Sequence, residues 1–390
     1  MPKKYIPRLI TEEVLASSKE YPIITISGPR QSGKTTLVKH LFSNLPYFNL
    51  ESPDVLDLIS ADPRAFLRQN PQGAVIDEIQ RAPELISYLQ VAVDENKACK
   101  FVITGSNQFS MLEQVTQSLA GRTAILKLLP FCIDEISKLQ AKITADELIF
   151  KGTLPSVYAD KRQPLRAYRN YYETYIERDV RMLINVKDIS LFKKFMKLCA
   201  GRIGQIFNAS QLANETGVSV NTIKSWVSVL ETSFIVFLLP PWYDNIKKRL
   251  IKSPKLFFYD VGLASYLLGL KNKNHVQRDP LRGGLFENLV ISEIIKKYYN
   301  SGLAADVFFY RDKNGNEVDC LLPISRELVP IEIKSSETFH SGFLKNILHF
   351  YKVYPNRTIH PKLVYAGTEE QSSGSIDIIN FKNIYRKIEL

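Results

Sequence analysis

The sequence predicts an α/β protein in three parts, and three observations carry that reading. Over residues 1–185, short apolar runs punctuated by glycine alternate with helical stretches. Residues 186–256 read as short helices followed by a strand-rich basic stretch. Residues 257–390 return to mixed strands and helices. A chain of 390 residues is also longer than one ordinary core fills, which favours two or three domains.

In the first part, the runs Ile23–Ser27, Ala74–Asp77 and Phe101–Gly105 are apolar on both faces, as strands are when helices cover both sides of a parallel sheet. In the last part, the strands expected are 307–311, 318–322 and 328–334. Overall composition is ordinary for a globular protein, with 45% hydrophobic and 23% charged residues. The four cysteines are scattered without C-x-x-C spacing, so neither a zinc site nor a disulfide framework is indicated and a reducing compartment fits. The first residues lack the apolar core of a signal peptide. The longest apolar stretch, Phe234 to Trp242, is broken by Pro240-Pro241 and falls far short of the roughly 20 residues of a membrane span. A cytoplasmic protein without a membrane partner is expected.

The chemistry begins at Gly28-Pro29-Arg30-Gln31-Ser32-Gly33-Lys34-Thr35-Thr36, which matches G-x-x-x-x-G-K-[ST]. It follows the strand Ile23–Ser27 and opens a helix expected over 36–42, the context the motif requires. Glycines let backbone N–H groups turn toward phosphates, and the helix N-terminus adds positive potential. Lys34 is expected on the β- and γ-phosphates of ATP, and the Thr35 hydroxyl on Mg²⁺. About forty residues on, Gly73-Ala-Val-Ile-Asp77-Glu78 is an apolar strand ending in two carboxylates. Asp77 is placed as the second Mg²⁺-linked group and Glu78 as the base that polarises the attacking water, a pairing that indicates hydrolysis. The next strand ends in Gly105-Ser106-Asn107, where Ser106, or else Asn107, would sense the γ-phosphate. Arg122 in Ser118-Leu-Ala-Gly-Arg122, and Arg178 or Arg181 in Tyr175-Ile-Glu-Arg178-Asp-Val-Arg181, are candidate arginine fingers for a neighbouring subunit. A finger in trans implies self-association into a ring or other oligomer.

These motifs, with Asp77-Glu-Ile-Gln, Thr104-Gly-Ser-Asn, Leu119-Ala-Gly-Arg, Leu128-Leu-Pro-Phe and Gly152-Thr-Leu-Pro, resemble the AAA-type ATP-binding proteins of the DUF4143 group. The resemblance covers essentially the whole chain. It implies an AAA+ core, a winged-helix domain and a C-terminal nuclease-like domain, in that order.

The middle part carries much of the charge. Of a formal +11, residues 186–256 contribute 11 Lys/Arg against 4 Asp/Glu, or +7, which suggests a polyanionic partner such as DNA. Ser210–Gly217 and Ser219–Leu230 read as helix–turn–helix. The second helix then exposes Asn221, Thr222, Lys224 and Ser225, and a basic turn with Lys247, Lys248 and Arg249 follows as a wing over phosphates. Winged helices also bind proteins, and that alternative stays open.

In the last part, a helical Glu287 precedes Asp319, twelve residues, then Glu332-Ile-Lys334. This spacing resembles the PD-(D/E)XK nuclease arrangement. Asp319 and Glu332 would bind divalent metal, Glu287 would complete its shell, and Lys334 would orient the water. Three functions follow as expectations: an ATPase that binds and acts on DNA, an ATP-gated metal-dependent endonuclease, or an ATP-state switch for a protein assembly with an inert C-terminal domain.

Overall fold

The computed structural model describes residues 5–106, 115, 118–175, 189–243 and 253–390. It divides into two compact units. The first comprises residues 1–131 with the short returns 232–234 and 298–304; the second comprises 132–231, 235–297 and 305–390. The helical stretch from residue 132 onward, which the sequence attached to the ATP-binding part, thus belongs to the second unit.

The first unit is a five-stranded parallel sheet in the order β2-β3-β4-β1-β5. Its strands are β1 (Ile23–Ser27), β2 (Tyr47–Asn49), β3 (Gly73–Asp77), β4 (Lys100–Gly105) and β5 (Thr123–Lys127). Alternation along these strands feeds two cores. Ile24, Ile26, Val75, Val102 and Leu126 face Leu37 and Val38 of α2 (Lys34–Leu41), with Val14 of α1 (Thr11–Glu20). Ile23, Ile76, Phe101 and Ile103 face Leu85, Leu89 and Val93 of the helix Leu85–Glu95. Both faces are therefore buried, as the continuous apolar runs required. Because β1 lies between β4 and β5, with β3 beside β4, the carboxyl ends of β1, β3 and β4 sit side by side. A crevice at such strand ends is where open α/β sheets bind ligands.

In the second unit, helices Ala209–Thr216 and Val220–Thr232 form the expected helix–turn–helix, joined through Gly217 in the left-handed region. The antiparallel pair β6 (Val236–Leu239) and β7 (Lys255–Phe258) follows. A mixed six-stranded sheet, in the order β12-β13-β11-β10-β9-β8, completes the unit, with β8 at Phe308–Arg311, β12 at Gln371–Ser373 and β13 at Ile376–Asn380. Its centre is the antiparallel pair β9 (Glu317–Ile324) and β10 (Glu327–Lys334), with β11 (Lys362–Tyr365) parallel to β10. The pair β6–β7 runs on into this sheet, where Trp242 N–H donates to the Phe309 carbonyl at 2.7 Å.

The Gly152-Thr-Leu-Pro segment is part of a buried polar joint in this unit. Asp260 accepts from the Thr153 N–H, the Gly262 N–H and the Tyr168 hydroxyl. Lys296 is paired with Glu293 at 2.7 Å and reaches the Thr153 hydroxyl at 3.3 Å. A Cβ at Gly152 would stand 1.9 Å from the Tyr168 oxygen and 2.4 Å from an Asp260 oxygen, so only glycine lets the chain pass. Among the described residues, no helix is long and apolar enough to cross a membrane.

Candidate functional site: a phosphate loop and a carboxylate cluster

The loop after β1 approaches its neighbours closely. A Cβ at Gly28 would lie 2.1 Å from the Leu128 carbonyl oxygen, so the first position of the motif is closed to any side chain. The helix α2 begins at Lys34, two residues before the start expected from sequence. Lys34 is buried and curls back over the loop, donating to the Gly28 and Pro29 carbonyls at 2.9 Å each. Its ammonium thus sits over the turn that cradles phosphate in loops of this type. Ser32 is fully buried with a hydroxyl that has no hydrogen-bond partner, a polar atom held in reserve at the cradle. Arg8, from the segment before α1, braces the loop from behind. It donates to the Ser32 and Leu129 carbonyls at 2.7 Å each and stacks over Phe131.

Asp77, at the end of β3, is buried and receives three hydroxyls. Thr35 donates to Oδ2 at 2.7 Å, Tyr47 to Oδ2 at 2.6 Å, and Thr104 to Oδ1. Burial, with the carboxylate of Asp77 beside it, pushes the Tyr47 phenol well above its ordinary range, so it stays protonated as a donor. Glu78 follows in the left-handed region at φ 61°, which turns its side chain away from the strand direction. Its Oε2 accepts from Ser106 at 3.1 Å and from Gln80. Sequence-predicted Lys34, Thr35, Asp77, Glu78 and Ser106 are therefore brought to one sheet edge. The donor set fits Mg²⁺: a hydroxyl and a carboxylate already in contact, oxygen ligands of the hard kind that ion takes.

The second constellation centres on β9 and β10. One register step beyond the Ile331–Cys320 pair, Asp319 and Glu332 lie side by side. Asp319 Oδ2 accepts from the Ile333 N–H at 2.7 Å, and Lys334 Nζ lies 3.6 Å from it. Lys334 donates to Glu332 Oε1 at 2.6 Å, and Asn346 donates to the same oxygen at 3.0 Å. Glu332 Oε2 is buried and accepts no hydrogen bond. Glu287 instead pairs with Lys255 of β7, at 3.0 Å, and the same ammonium binds Glu317. Burial pushes Glu287 up to about 8, with Lys255 opposing and Asp319 reinforcing. Burial and the charge of Asp319 push Glu332 up to about 7, against Lys334 and Asn346. Burial works against the charge on Lys255 and on Lys334, but the surrounding carboxylates outweigh it and raise both.

The nuclease expectation needs a cation bound by converging acidic groups. Among the described residues, no group of three His, Cys, Asp or Glu side chains is arranged to hold a metal ion. Glu287, expected to complete the shell, is committed to a lysine. The orphan oxygen of Glu332 adjoins Asp319, with the Lys334 ammonium between the two carboxylates.

Comparison with known proteins places the chain. An AAA domain matches residues 20–137, and a domain of unknown function, DUF4143, matches 282–384. The chain thus carries an AAA domain followed by a DUF4143 domain, consistent with the AAA-type ATP-binding proteins of the DUF4143 group. A further domain of unknown function, DUF8612, matches 143–274. An uncharacterized protein of Mycobacterium tuberculosis is 29% identical over 321 residues, 81% of this chain and 71% of its own length. One of Haemophilus influenzae is 24% identical over 381 residues, 89% of this chain and 90% of its own. Among solved structures, a Walker-type ATPase of Pyrococcus abyssi aligns at 14% identity and TM-score 0.47, over 68% of this chain and 97% of that one. A Thermotoga maritima RuvB variant aligns at 15% identity and TM-score 0.31, over 59% of this chain and 89% of that one.

The AAA domain holds Lys34, Thr35, Asp77, Glu78 and Ser106, while Arg8 lies ahead of it. Arg122, the finger candidate for a neighbouring subunit, is also in this domain. It precedes β5 at the amino-terminal edge of the sheet, opposite the phosphate loop, and forms a bidentate pair with Asp94 at 2.7 Å on both arms. Asn107, Arg178, Arg181, Lys247, Lys248 and Arg249 lie outside the described residues. Of the middle segment, Asn221 and Lys224 are exposed and Thr222 half-buried, on a helix whose other face buries Ile223, Trp226, Val227 and Leu230. Sequence reasoning missed Arg8, Tyr47 and Lys255. Each is a lone polar residue far in sequence from what it touches, and only the sheet order brings it there.

Proposed function

We propose that this AAA protein is a Mg²⁺-dependent ATPase that engages DNA through its middle segment and couples turnover to that engagement. The observation that carries the reading is the convergence of the loop 28–35, Asp77, Glu78 and Ser106 on adjoining strand ends. On ATP binding, the loop amides take the phosphates and Lys34 exchanges its loop carbonyls for phosphate oxygens. Thr35 and Asp77 hold Mg²⁺, which when bound screens the phosphate charge. Glu78, fixed by Ser106 and Gln80 through one carboxylate oxygen, keeps the other to orient the attacking water and take its proton. Tyr47 and Thr104 hold Asp77 in place. An arginine finger from a second copy completes the site, so the active form is an oligomer.

DNA engagement is supported by the helix Val220–Thr232. Ser219 caps it by accepting from the Thr222 N–H at 3.1 Å, and Asn221 and Lys224 stand on its open face. A second reading, an ATP-state switch acting on a protein assembly, is favoured by the lysine-filled cluster of the DUF4143 domain. The third reading, an ATP-gated endonuclease, rests on Asp319, Glu332 and Lys334 adjoining one another.

The deciding measurement is ATP hydrolysis with duplex, single-stranded and branched DNA, beside Lys34→Ala and Glu78→Gln. Both variants are expected to lose turnover by about a hundredfold or more, within the range for loss of a general base, and one DNA form is expected to stimulate the parent. Turnover indifferent to every DNA form transfers the reading to the protein-directed switch.

A further inference from the structure

We infer that Lys255 is the built-in cation of the carboxylate cluster in the second unit, occupying with its ammonium the role that a divalent ion plays in nucleases of similar spacing. The inference goes beyond the ATPase reading and does not depend on it.

Four carboxylates, Glu287, Glu317, Asp319 and Glu332, gather where β7, β9, β10 and the helix Arg282–Asn300 meet. Unpaired, they would repel one another in a buried setting, where charge is costly. Two lysines divide them. Lys334 spans Glu332 and Asp319. Lys255, 3% exposed, spans Glu287 and Glu317. It arrives from outside the DUF4143 match, on the strand at the end of the basic segment. Its ammonium also stands over the Phe309 ring, 5.3 Å from the centroid, so three sides of the group are engaged. Glu287 Oε2 lies over Gly204, where an added Cβ would meet it at 3.2 Å, so the glycine leaves the carboxylate its place beside the ammonium. An ammonium so enclosed cannot be displaced by hydrated Mg²⁺ without leaving a buried lysine unpaired, which costs more than breaking an exposed pair. The cluster is therefore electrically satisfied with no metal and serves as an ionic joint between β7, the long helix and the sheet.

The test is a calorimetric titration of Mn²⁺ into the nucleotide-free full chain carrying Asp77→Asn, which removes the metal ligand of the AAA site. No Mn²⁺ binding at the cluster is expected. Replacing Lys255 by Met is expected to raise Mn²⁺ affinity at least tenfold, and adding Glu287→Gln or Asp319→Asn is expected to abolish the gain. Mn²⁺ binding by the lysine-bearing chain that disappears with Asp319→Asn or Glu332→Gln would overturn the inference. So would a folded Lys255→Met chain that gains no Mn²⁺. Should Lys255→Met not fold, the titration of the lysine-bearing chain against its Asp319→Asn form still decides, and Lys255→Arg, which keeps the cation, is expected to fold and to stay blind to Mn²⁺.

Discussion

At the scale of single residues, the nucleotide site depends on groups that no motif announces. Asp77 is named by its place after an apolar strand, yet its orientation is set by three hydroxyls from three separate segments. Tyr47 is the informative one, since its hydroxyl donates to the carboxylate while its ring lies under the Lys39 ammonium, 3.8 Å from the centroid. A hydrogen bond to a charged group is worth about 1.5–3 kcal/mol. Tyr47→Phe is thus expected to lower kcat/KM for ATP by about tenfold and to raise the Mg²⁺ concentration needed for half-maximal rate. An unchanged kcat/KM would mean that Thr35 and Thr104 hold Asp77 unaided. The carboxylate cluster makes a prediction of different sign. Glu332 and Glu287 are raised from an ordinary 4.5 to about 7 and about 8. A carboxyl that binds its proton more tightly when folded stabilises fully below its unfolded value and loses that contribution as pH climbs through its folded one. The melting temperature is expected to fall between pH 5 and 8, and a Glu287→Gln, Glu332→Gln chain to show a flatter profile, both read by calorimetry.

At the scale of elements, legibility followed the range of the interactions. The loop 28–35, β3 and the helix–turn–helix are specified by neighbours in sequence: glycines, an apolar run ending in two acids, apolar positions at helical spacing. They stand where the pattern put them, apart from α2 starting at Lys34. β10 was legible for the same reason, its alternation setting Glu332 and Lys334 on one face. What the sequence hid is pairing at long range. Nothing local says that Arg122 is consumed by Asp94, or that Lys255 crosses to Glu287. Counting charges suffered likewise. Of the basic residues in 186–256, Lys255 is buried among carboxylates and Arg202 is paired with Glu215, so neither adds to a phosphate-facing surface. Lys224 does stand free on the open face of its helix. If that helix meets DNA, Lys224→Ala is expected to weaken binding evenly across sequences and to reduce the slope of log affinity against log salt by about one. A salt slope equal to that of the parent would place the DNA elsewhere on the chain.

At the scale of the whole molecule, an arginine finger given in trans would make the working ATPase an assembly. The phosphate loop, Thr35, Asp77 and Glu78 all come from the first unit. Arg8 is turned to carbonyls behind the loop and Arg122 to Asp94. If the finger comes from a second copy, turnover per chain must depend on how many chains are assembled. Specific ATPase activity is then expected to rise with protein concentration, by tenfold or more between dissociated and assembled protein, because a finger in trans is worth about 10³–10⁵ in kcat in related phosphoryl transfers. Mixing gives the sharper result. A Glu78→Gln chain lacks its base but keeps its arginines; an Arg178→Ala chain keeps its base. Neither hydrolyses well alone, yet in a mixed assembly the base of the second can be served by the arginine of the first. Recovery of activity on mixing, absent when Arg122→Ala replaces Arg178→Ala, would assign the finger to Arg178 and confirm that Arg122 is structural. Activity per chain that is constant from nanomolar to micromolar protein, with no recovery on mixing, would make the single copy the working ATPase and remove the need for a ring.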